Sequence, residues 1–177
     1  MFLRQGFHGD GLLEVLSRAG VPKGSFYNYF PSKEAFGAEV VKHYAQEFDT
    51  RLDAAADQAA KDAPASLERF FRQLAREFAA AGHGGGCLVG NLSGQLEDSE
   101  LCRTAMAEAL RGWAERIARV VARGQQQGAF RKDLGADEVA AFVLDSWEGA
   151  VLRMKVERSD RPLRRWIDVV LRGWIRA

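Results

Sequence analysis

The chain has 177 residues, of which 47% are hydrophobic, and its formal net charge is +1. This length allows one or two domains with a sizeable core, while the near-zero net charge excludes a global electrostatic field that draws the protein onto nucleic acid. Two cysteines exclude a disulfide framework, no apolar run approaches the roughly 20 residues of a membrane span, and no signal peptide is recognisable, so we expect a cytoplasmic protein without a membrane partner.

Two short helices separated by a tight turn are predicted between residues 12 and 30. The apolar positions of the first helix recur at helical spacing, and they are Leu12, Val15, Leu16 and Ala19. Asp10 is its expected N-cap, and Gly20 can adopt the left-handed conformation that ends such a helix. The ring of Pro22 fixes its φ angle near the helical value, so we expect the next helix to begin there. A turn of about three or four residues is typical of a helix-turn-helix.

The second of these helices is dense in groups that suit DNA. Phe26 and Phe30 lie four residues apart, which provides the helix with one apolar face to anchor inward. The remaining side chains then face outward, where base edges and phosphates lie within reach. We therefore expect a DNA contact surface made of Lys23, Gly24, Ser25, Tyr27, Asn28, Tyr29 and Lys33.

The stretch from residue 19 to residue 34 resembles the DNA-binding motif of the tetracycline-repressor (TetR) family. The matching residues are Ala19, Gly20, Val21, Lys23, Gly24, Ser25, Phe26, Tyr27, Phe30, Ser32, Lys33 and Glu34. The resemblance implies an all-α protein with a helix-turn-helix DNA-binding domain over residues 1–45 and a helical ligand-binding and dimerisation domain over residues 46–177. It also implies three partners: a double-stranded DNA operator, a small-molecule inducer and a second copy of the chain.

Two features depart from the usual pattern of that family. Members usually carry a full helix before Gly6-Phe7-His8, whereas only its last turn precedes that tripeptide here, so we expect a misassigned start codon or a truncated chain. Members also usually have Thr where Asp10 stands and often Arg where Leu13 stands. Both usual residues suit a phosphate, and phosphate contacts supply much of the affinity for DNA, so these departures weaken the DNA-binding expectation without removing it.

The rest of the chain has the pattern of successive amphipathic helices, and no strand pattern appears. Ser32 caps one long helix and Asp98 caps another, while residues 61–64 are expected to form a turn. The glycine-rich residues 82–86 are expected to form a flexible loop. The predicted helices cover residues 32–60, 65–81, 87–96, 98–127, 136–157 and 161–175.

Aromatic side chains on several of these helices have two open interpretations. They are typical of a plain core, but in the TetR layout the corresponding helices surround a ligand cavity, and such cavities are mostly apolar. The resemblance therefore implies a cavity lined by Phe70, Phe71, Phe78, Cys87, Trp113 and Phe142.

Cys87 follows a run of glycines and begins a helix, a position that favours the thiolate and lowers the pKa of a thiol. Free cysteine is also among the most buried residue types, so a small core residue is the alternative. Residues 86–92 resemble a segment of one TetR subgroup that responds to reactive electrophiles and unsaturated small molecules. Cys102 lies on an apolar helical stripe, and we expect it in the core.

The last two helices carry large apolar groups on a broad face, which in a chain of this size more often meets a partner than water. TetR family members dimerise through the corresponding two helices as a four-helix bundle, and two helix-turn-helix units one DNA turn apart require a dimer. We expect the interface to contain Val143, Trp147, Trp166, Val170 and Trp174.

The resemblance implies a DNA-binding transcriptional regulator, a repressor that a small-molecule inducer releases from its operator. The alternative is a helical small-molecule-binding or thiol-based sensing protein that has lost DNA binding. The run His83-Gly84-Gly85-Gly86 resembles the oxyanion loop of some esterases, but the sequence lacks the nucleophile elbow that this chemistry needs. No catalytic constellation and no Cys/His cluster with metal-ligand spacing appears, so we expect no enzyme activity, no cofactor and no metal site.

Overall fold

The computed structural model describes residues 11–96 and 98–177, and these residues are predominantly helical. The helices are α1 Gly11–Ala19, α2 Lys23–Phe26, α3 Lys33–Ala80, α4 Leu88–Ser93, α5 Glu100–Gln126, α6 Ala136–Glu157 and α7 Arg161–Trp166, which continues as a π-helix over Ile167–Trp174. This part of the chain has no strand, and its single isolated β-bridge joins Phe130 to Arg176. The all-α prediction is confirmed. None of these helices combines the length and the apolarity that crossing a bilayer requires.

The described residues pack as two compact units that are interleaved along the sequence. The first unit ends at Gln46 and resumes over Cys87–Ala109, while the second contains Glu47–Gly86 and Leu110–Ala177. The division expected from the sequence, between residues 45 and 46, placed Cys87–Ala109 in the second domain, whereas these residues pack in the first unit. Both α3 and α5 contribute residues to each unit.

The turn between α1 and α2 is closed by backbone hydrogen bonds around Gly20. This residue has a φ of +66°, which favours glycine, and its amide donates to the carbonyl of Ser17 at 3.2 Å. The amide of Val21 donates to the carbonyl of Leu16 at 2.9 Å, which completes a Schellman motif. Pro22 is extended, and α2 begins at the next residue. The predicted helix-turn-helix is therefore present.

A small aromatic core holds α1, α2 and the start of α3 together. Leu12, Leu16 and Phe26 are buried, and the half-buried rings of Phe30 and Phe36 pack against them. The ring centroid of Phe26 lies 5.3 Å from that of Phe30 and 5.4 Å from that of Phe36. The inward apolar face expected for α2 is thus confirmed. Because α2 has only 4 residues, its position depends on the anchoring of Phe26.

Helix α3 begins and bends at the residues that the sequence indicated. The Oγ of Ser32 accepts a hydrogen bond from the amide of Ala35 at 3.1 Å, which confirms the expected cap. The helix is kinked at Asp62, whose φ of −155° and ψ of 95° are not helical, two residues before Pro64. Asp62 also caps the second half of the helix, because its Oδ1 accepts from the amide of Ala65 at 2.9 Å.

The glycine-rich segment after α3, which was expected to form a flexible loop, is exposed at Gly82 and Gly84 and closely packed at Gly86. Gly82 and His83 have positive φ values and end the helix, and the amide of His83 donates to the carbonyl of Phe78 at 3.0 Å. Gly86 has a φ of +83°, and a Cβ at that position would lie 3.0 Å from Cγ1 of Val151 in α6. Glycine is needed here for both its conformation and this close approach.

Ser99 caps α5 in place of the expected Asp98. Its Oγ accepts a hydrogen bond from the amide of Cys102 at 3.4 Å, and the helix begins at Glu100. Asp98 is exposed one position earlier, and a capping side chain must stand directly before the first helical residue.

Three aromatic rings at the centre of the second unit join α3, α6 and α7. The ring of Phe71 lies 4.9 Å from that of Trp147 and 4.7 Å from that of Trp166, and the two tryptophans are 4.9 Å apart. The Nε1 of Trp166 donates to the Oγ of Ser146 at 2.8 Å, so its polar edge is satisfied inside this apolar region.

Candidate DNA interface and ligand cavity

The residues expected to contact DNA lie at α2, at the turn that follows it and at the start of α3. Five of these residues are exposed, namely Lys23, Gly24, Tyr27, Asn28 and Tyr29. The other two, Ser25 and Lys33, are half-buried. The two tyrosines are 51% and 79% exposed, which leaves their hydroxyl groups accessible. The ring of Tyr27 packs edge-on against the buried ring of Phe26, with centroids 5.2 Å apart. Ammonium, hydroxyl and amide groups at one surface can bind both phosphates and base edges.

Leu13 is exposed on α1, at the position where the TetR pattern often has a phosphate-binding arginine. Its side chain has no donor, so this position supplies no phosphate contact. The expected N-cap Asp10 and the residues before it lie outside the described part of the chain.

Helices α3, α5 and α6 enclose a small apolar cavity in the second unit. Its lining residues are Phe48, Leu52, Phe70, Phe71, Leu74, Trp113, Ile117, Leu144, Trp147 and Glu148. The free volume is about 10 Å³, which corresponds to room for about one water molecule. The ring of Phe48 lies 5.0 Å from that of Trp113 and 6.2 Å from that of Phe70. A larger apolar molecule therefore enters only if these side chains or their helices move apart.

The cavity includes half of the side chains that were expected to line it, namely Phe70, Phe71 and Trp113. Phe78 is buried and stacks on Trp147 with centroids 6.4 Å apart. Phe142 is 44% exposed and packs on Trp174 at 4.1 Å. Cys87 belongs to the first unit. The apolar character of these three residues predicted burial or packing, but none of the three lines the cavity.

Sequence reasoning missed all four aliphatic lining residues, two aromatic residues and one glutamate. The missed residues are Phe48, Leu52, Leu74, Ile117, Leu144, Trp147 and Glu148. Phe48 and Leu52 lie four apart on the apolar stripe recognised for α3, so a stripe-by-stripe comparison of α3 and α5 could have found them. Trp147 had instead been expected at the dimer interface.

An ion pair beside the cavity joins the two halves of α3 across its kink. Arg51 binds the carboxylate of Glu77 through two hydrogen bonds of 3.0 and 3.1 Å, a bidentate arrangement that fixes the planes of both groups. The guanidinium carbon also lies 5.6 Å from the ring centre of Phe48 and 5.9 Å from that of Phe70.

A second charged group joins α3 to α5, and we call Asp49, Asp53, Arg116 and Arg119 the carboxylate clamp. The Nη1 of Arg116 lies 3.3 Å from Oδ1 of Asp49, its Nε lies 3.2 Å from Oδ1 of Asp53, and Arg119 also pairs with Asp53. Burial raises the pKa of Asp49 in spite of the attraction of Arg116. Burial also acts to raise the pKa of Asp53, but the hydrogen bond from Arg119 and the charge of Arg116 hold it below its ordinary value.

Four of the five side chains expected at the dimer interface are buried within the chain. Val143, Trp147, Trp166 and Val170 are 0%, 2%, 6% and 7% exposed. Their apolar face packs on the chain's own core, as the ring contacts with Phe71 demonstrate, so almost none of their surface is left for a second copy. Trp174, the fifth residue, is half-buried.

Other large apolar side chains of α6 and the π-helix are exposed. We call them the outer face: Phe142, Leu152, Val156 and Val169, with exposed fractions of 44%, 62%, 77% and 59%. The three residues from α6 lie within an arc of about 80° around that helix, because spacings of 10 and 4 residues correspond to about 2.8 and 1.1 turns.

Comparison with known proteins identifies the family. Residues 1–40 match the family model described as bacterial regulatory proteins, tetR family, and residues 63–170 match the model described as tetracyclin repressor-like, C-terminal domain. The chain belongs to the TetR family. It is a transcriptional regulator with a helix-turn-helix DNA-binding domain and a helical C-terminal domain.

Curated relatives match this TetR-family regulator over most of its length. The HTH-type transcriptional repressor DhaR of Mycobacterium sp. strain GP1 is 34% identical over 96% of this chain and 84% of its own. The transcriptional regulator AcuR of Cereibacter sphaeroides is 38% identical over 90% of this chain and 73% of its own. The HTH-type transcriptional repressor NemR of Escherichia coli is 33% identical over 91% of this chain and 81% of its own.

Two solved structures with similar sequences have the same fold. The regulatory protein TetR from Rhodobacter sphaeroides superposes with a TM-score of 0.87 at 34% identity, over 97% of this chain and 91% of that chain. The reduced form of Escherichia coli NemR superposes with a TM-score of 0.86 at 31% identity, over 99% and 91%. Regulators of this family bind DNA operators and small-molecule ligands and are usually dimers.

Both cysteines of this TetR-family regulator are buried, and neither forms a disulfide. Cys87 is 4% exposed and directly precedes α4. Cys102 is 0% exposed, and its thiol donates to the carbonyl of Glu34 at 3.2 Å, so its expected core position is confirmed. For Cys87 the burial favours the interpretation as a core residue. Within residues 11–96 and 98–177, no cluster of His, Cys, Asp and Glu has the arrangement of a metal site.

Proposed function

We propose that this TetR-family regulator represses transcription by binding an operator as a dimer, and that a small molecule entering the aromatic cavity releases it. One observation carries the proposal. Phe48 and Leu52 of the cavity belong to α3, the helix that begins at Lys33, which is itself one of the expected DNA contacts. A ligand that exceeds the free volume of about 10 Å³ must move lining side chains or their helices, and in this proposal the helix that moves is α3. Two of the relatives, DhaR and NemR, are named repressors.

The release is a shift between two populations of the protein. The closed cavity belongs to the operator-binding state. A ligand that binds only the widened cavity lowers the free energy of the state in which α3 has moved, and the recognition helices of two copies then no longer match the spacing of the major groove. A ligand with equal affinity for both states would release nothing, however tightly it bound.

The exposed α2 surface is proposed to make two kinds of DNA contact. Lys23 and Lys33 carry positive charge and contact phosphates, which supplies affinity without sequence preference. Asn28 has an amide that can donate to and accept from one adenine edge, and it lies between the two exposed tyrosines. The base preference of the protein therefore depends on Asn28 more than on either lysine.

The outer face is proposed as the dimer interface in place of the buried tryptophans. Its four side chains are the exposed large apolar groups of α6 and the π-helix, and exposed apolar surface of this kind typically marks a protein interface. Leu152→Glu combined with Val156→Glu should convert dimers into monomers in sedimentation velocity at micromolar concentration. Leu110→Glu, on a 37% exposed residue of α5, is the control and should remain dimeric. A doubly substituted chain that still sediments as a dimer contradicts this interface.

The ligand of the cavity is proposed to be a small apolar molecule, because nine of its ten lining residues are apolar or aromatic. The single carboxylate, Glu148, can accept one hydrogen bond from such a molecule. We propose that this molecule binds reversibly, since no cysteine lines the cavity.

Covalent sensing at Cys87 is the second candidate, and the similarity to NemR and to the electrophile-responsive subgroup favours it. Because the thiol is 4% exposed, a reagent reaches it only when the surrounding residues open. Brief treatment with limiting acrolein, followed by mass spectrometry, should then label Cys87 faster than Cys102, which lies within the apolar stripe of α5. Equal or slower labelling of Cys87 contradicts covalent sensing, as does a Cys87→Ala variant that is released from DNA normally.

The test of the main proposal begins with DNA. Selection from a random double-stranded pool should yield one preferred sequence, and fluorescence anisotropy at a fixed salt concentration should give its Kd relative to random DNA. Toluene, used as an apolar aromatic probe of the cavity, should weaken operator binding by the wild-type chain. The larger side chain of the Leu144→Phe variant fills the cavity, so this variant should still bind the operator but should no longer respond to toluene. The exposed control Leu110→Phe should keep both operator binding and the response to toluene. A chain that prefers no sequence over random DNA contradicts the proposal and supports a small-molecule-binding protein without DNA binding.

A further inference from the structure

The carboxylate clamp and the aromatic cavity occupy the same pair of helices in the second unit. On α3, Phe48 and Leu52 line the cavity, and each is followed directly by a clamp carboxylate, Asp49 or Asp53. On α5 the clamp residue Arg116 lies directly before Ile117, which lines the cavity. Neighbouring residues of a helix differ by about 100° in direction, so the clamp borders the contact between α3 and α5 that closes the cavity. One separation of the two helices therefore determines both features.

Arg116 is held in position by its own helix before it meets the carboxylates. Its Nη1 donates to the carbonyl of Gly112, one helical turn earlier, at 3.1 Å. A Cβ at position 112 would lie 3.1 Å from the same nitrogen, so the glycine leaves the guanidinium the room that it occupies. The planar guanidinium group then contacts Asp49 and Asp53 together, which the single ammonium group of a lysine would do less well.

The clamp charges are partly removed from water, so separating them costs more free energy than separating charges at the surface. The side chains of Arg116 and Asp49 are 24% and 29% exposed. Pairs that are partly buried are screened less by salt than surface pairs, and breaking one leaves a charge without its partner. A movement of α3 away from α5 therefore meets resistance from the clamp in addition to the apolar contacts.

We propose that the carboxylate clamp is the positioning element that sets the balance between the operator-binding state and the released state. Asp49, Asp53 and Arg116 hold α3 against α5 while the cavity is closed, and a ligand that widens the cavity does so against these ion pairs. None of these residues lines the cavity, so they act on ligand affinity only through the separation of the helices. The inference rests on the proposed function, in which that separation controls operator release.

Arg116→Gln tests the clamp because glutamine removes the charge while keeping a polar chain. The population should shift toward the open state, so toluene should bind about fivefold tighter or more, and operator binding should weaken by the factor by which the closed population falls. Arg116→Lys restores the charge without the planar guanidinium group and should recover part of both effects. Arg123→Gln, an exposed residue of the same helix that hydrogen-bonds to Gln126, is the matched control and should change neither constant.

A purely structural role of Arg116 predicts a different pattern. A variant that only unfolds more readily would lose operator binding without binding toluene more tightly, and that result overturns the proposal, as do unchanged affinities for both. A second measurement needs no ligand: acrylamide quenching of tryptophan fluorescence should increase in Arg116→Gln, because Trp113 and Trp147 line the cavity. Unchanged quenching contradicts the clamp. If toluene does not change operator binding by the wild-type chain, the proposed function is contradicted. The quenching measurement still tests the clamp in that case.

Discussion

The α2 surface and the aromatic cavity differ in how far apart in the sequence their residues lie. The DNA-facing residues fall between positions 23 and 33, and the turn that presents them is closed by hydrogen bonds within residues 16–21. The cavity draws on positions 48 to 148 and on three helices. The first site is therefore determined by local backbone geometry, and the second by long-range packing.

Because of this difference, substitutions at the α2 surface and substitutions around the cavity should affect different properties of the protein. Side chains at the α2 surface are exposed, as the 79% exposure of Tyr29 illustrates, so their loss affects DNA binding and leaves folding nearly unchanged. Side chains around the cavity are buried in shared contacts, so their loss affects folding and ligand response together. The following substitutions test that separation.

The largest difference is expected between Trp147→Ala and Tyr29→Ala. Trp147 is 2% exposed and contacts the rings of Phe71, Phe78 and Trp166, so its removal should lower the free energy of unfolding by about 3–5 kcal/mol. Tyr29→Ala should change it by less than about 0.5 kcal/mol. Chemical denaturation followed by circular dichroism measures both values. Equal losses would refute the separation between the two regions.

Two glycines with positive φ provide a second contrast. A Cβ at position 20 would meet nothing within 4 Å, so Gly20→Ala should cost only the left-handed conformation, about 1–2 kcal/mol of unfolding free energy. Gly86→Ala adds a contact of 3.0 Å with Val151, so we expect about 2–4 kcal/mol. Denaturation midpoints of both variants test the order. A larger loss for Gly20→Ala would contradict the close packing inferred at Gly86.

At the DNA surface, Asn28→Ala and Lys33→Ala should change DNA binding in two different ways. Loss of an amide that reads a base edge should reduce discrimination between operator and mismatched DNA by about 1–3 kcal/mol. Loss of a phosphate contact should weaken binding about equally on all sequences and lower the salt dependence. Anisotropy titrations on operator, mismatched and random DNA distinguish these outcomes. A uniform loss for Asn28→Ala would remove its proposed role in base reading.

The smallest effect is expected for Glu68→Gln, and it should depend on pH. The hydrogen bond from Arg172, at 2.7 Å, and that from Arg72 hold the pKa of Glu68 below its ordinary value, so its ionised form stabilises the folded state. The difference from wild type should be present above a pH of about 4.3 and should disappear as the pH falls through the lowered folded pKa. A difference that grows on acidification has the wrong sign for this pair.

Much of the fold could be predicted from the sequence because helical periodicity and caps are local. Gly20, Ser32 and Pro64 marked the end of α1, the start of α3 and the neighbourhood of its kink, and the structure has these features there. Local signals failed where two neighbouring residues compete for one role, as Asp98 and Ser99 did for the cap of α5.

The glycine-rich segment illustrates a different limit. A run of glycines predicts backbone freedom, since glycine accepts φ values that other residues avoid. At Gly86 that freedom serves one packed conformation against Val151. Whether a glycine allows motion or close approach depends on what lies opposite it, and its own neighbours in the sequence do not contain that information.

The sequence by itself determined that Phe71, Trp113, Trp147 and Trp166 lie on apolar stripes, because a stripe follows from spacing along one helix. Only the tertiary structure decided which stripe lines the cavity, which closes the core and which stays outside. Trp147 lines the cavity although it had been expected at an interface, and Phe142 is 44% exposed although it had been expected in the cavity. The physical reason is that burial of apolar surface is non-directional, so it favours any apolar neighbour, and the neighbour is chosen by how all the helices pack together.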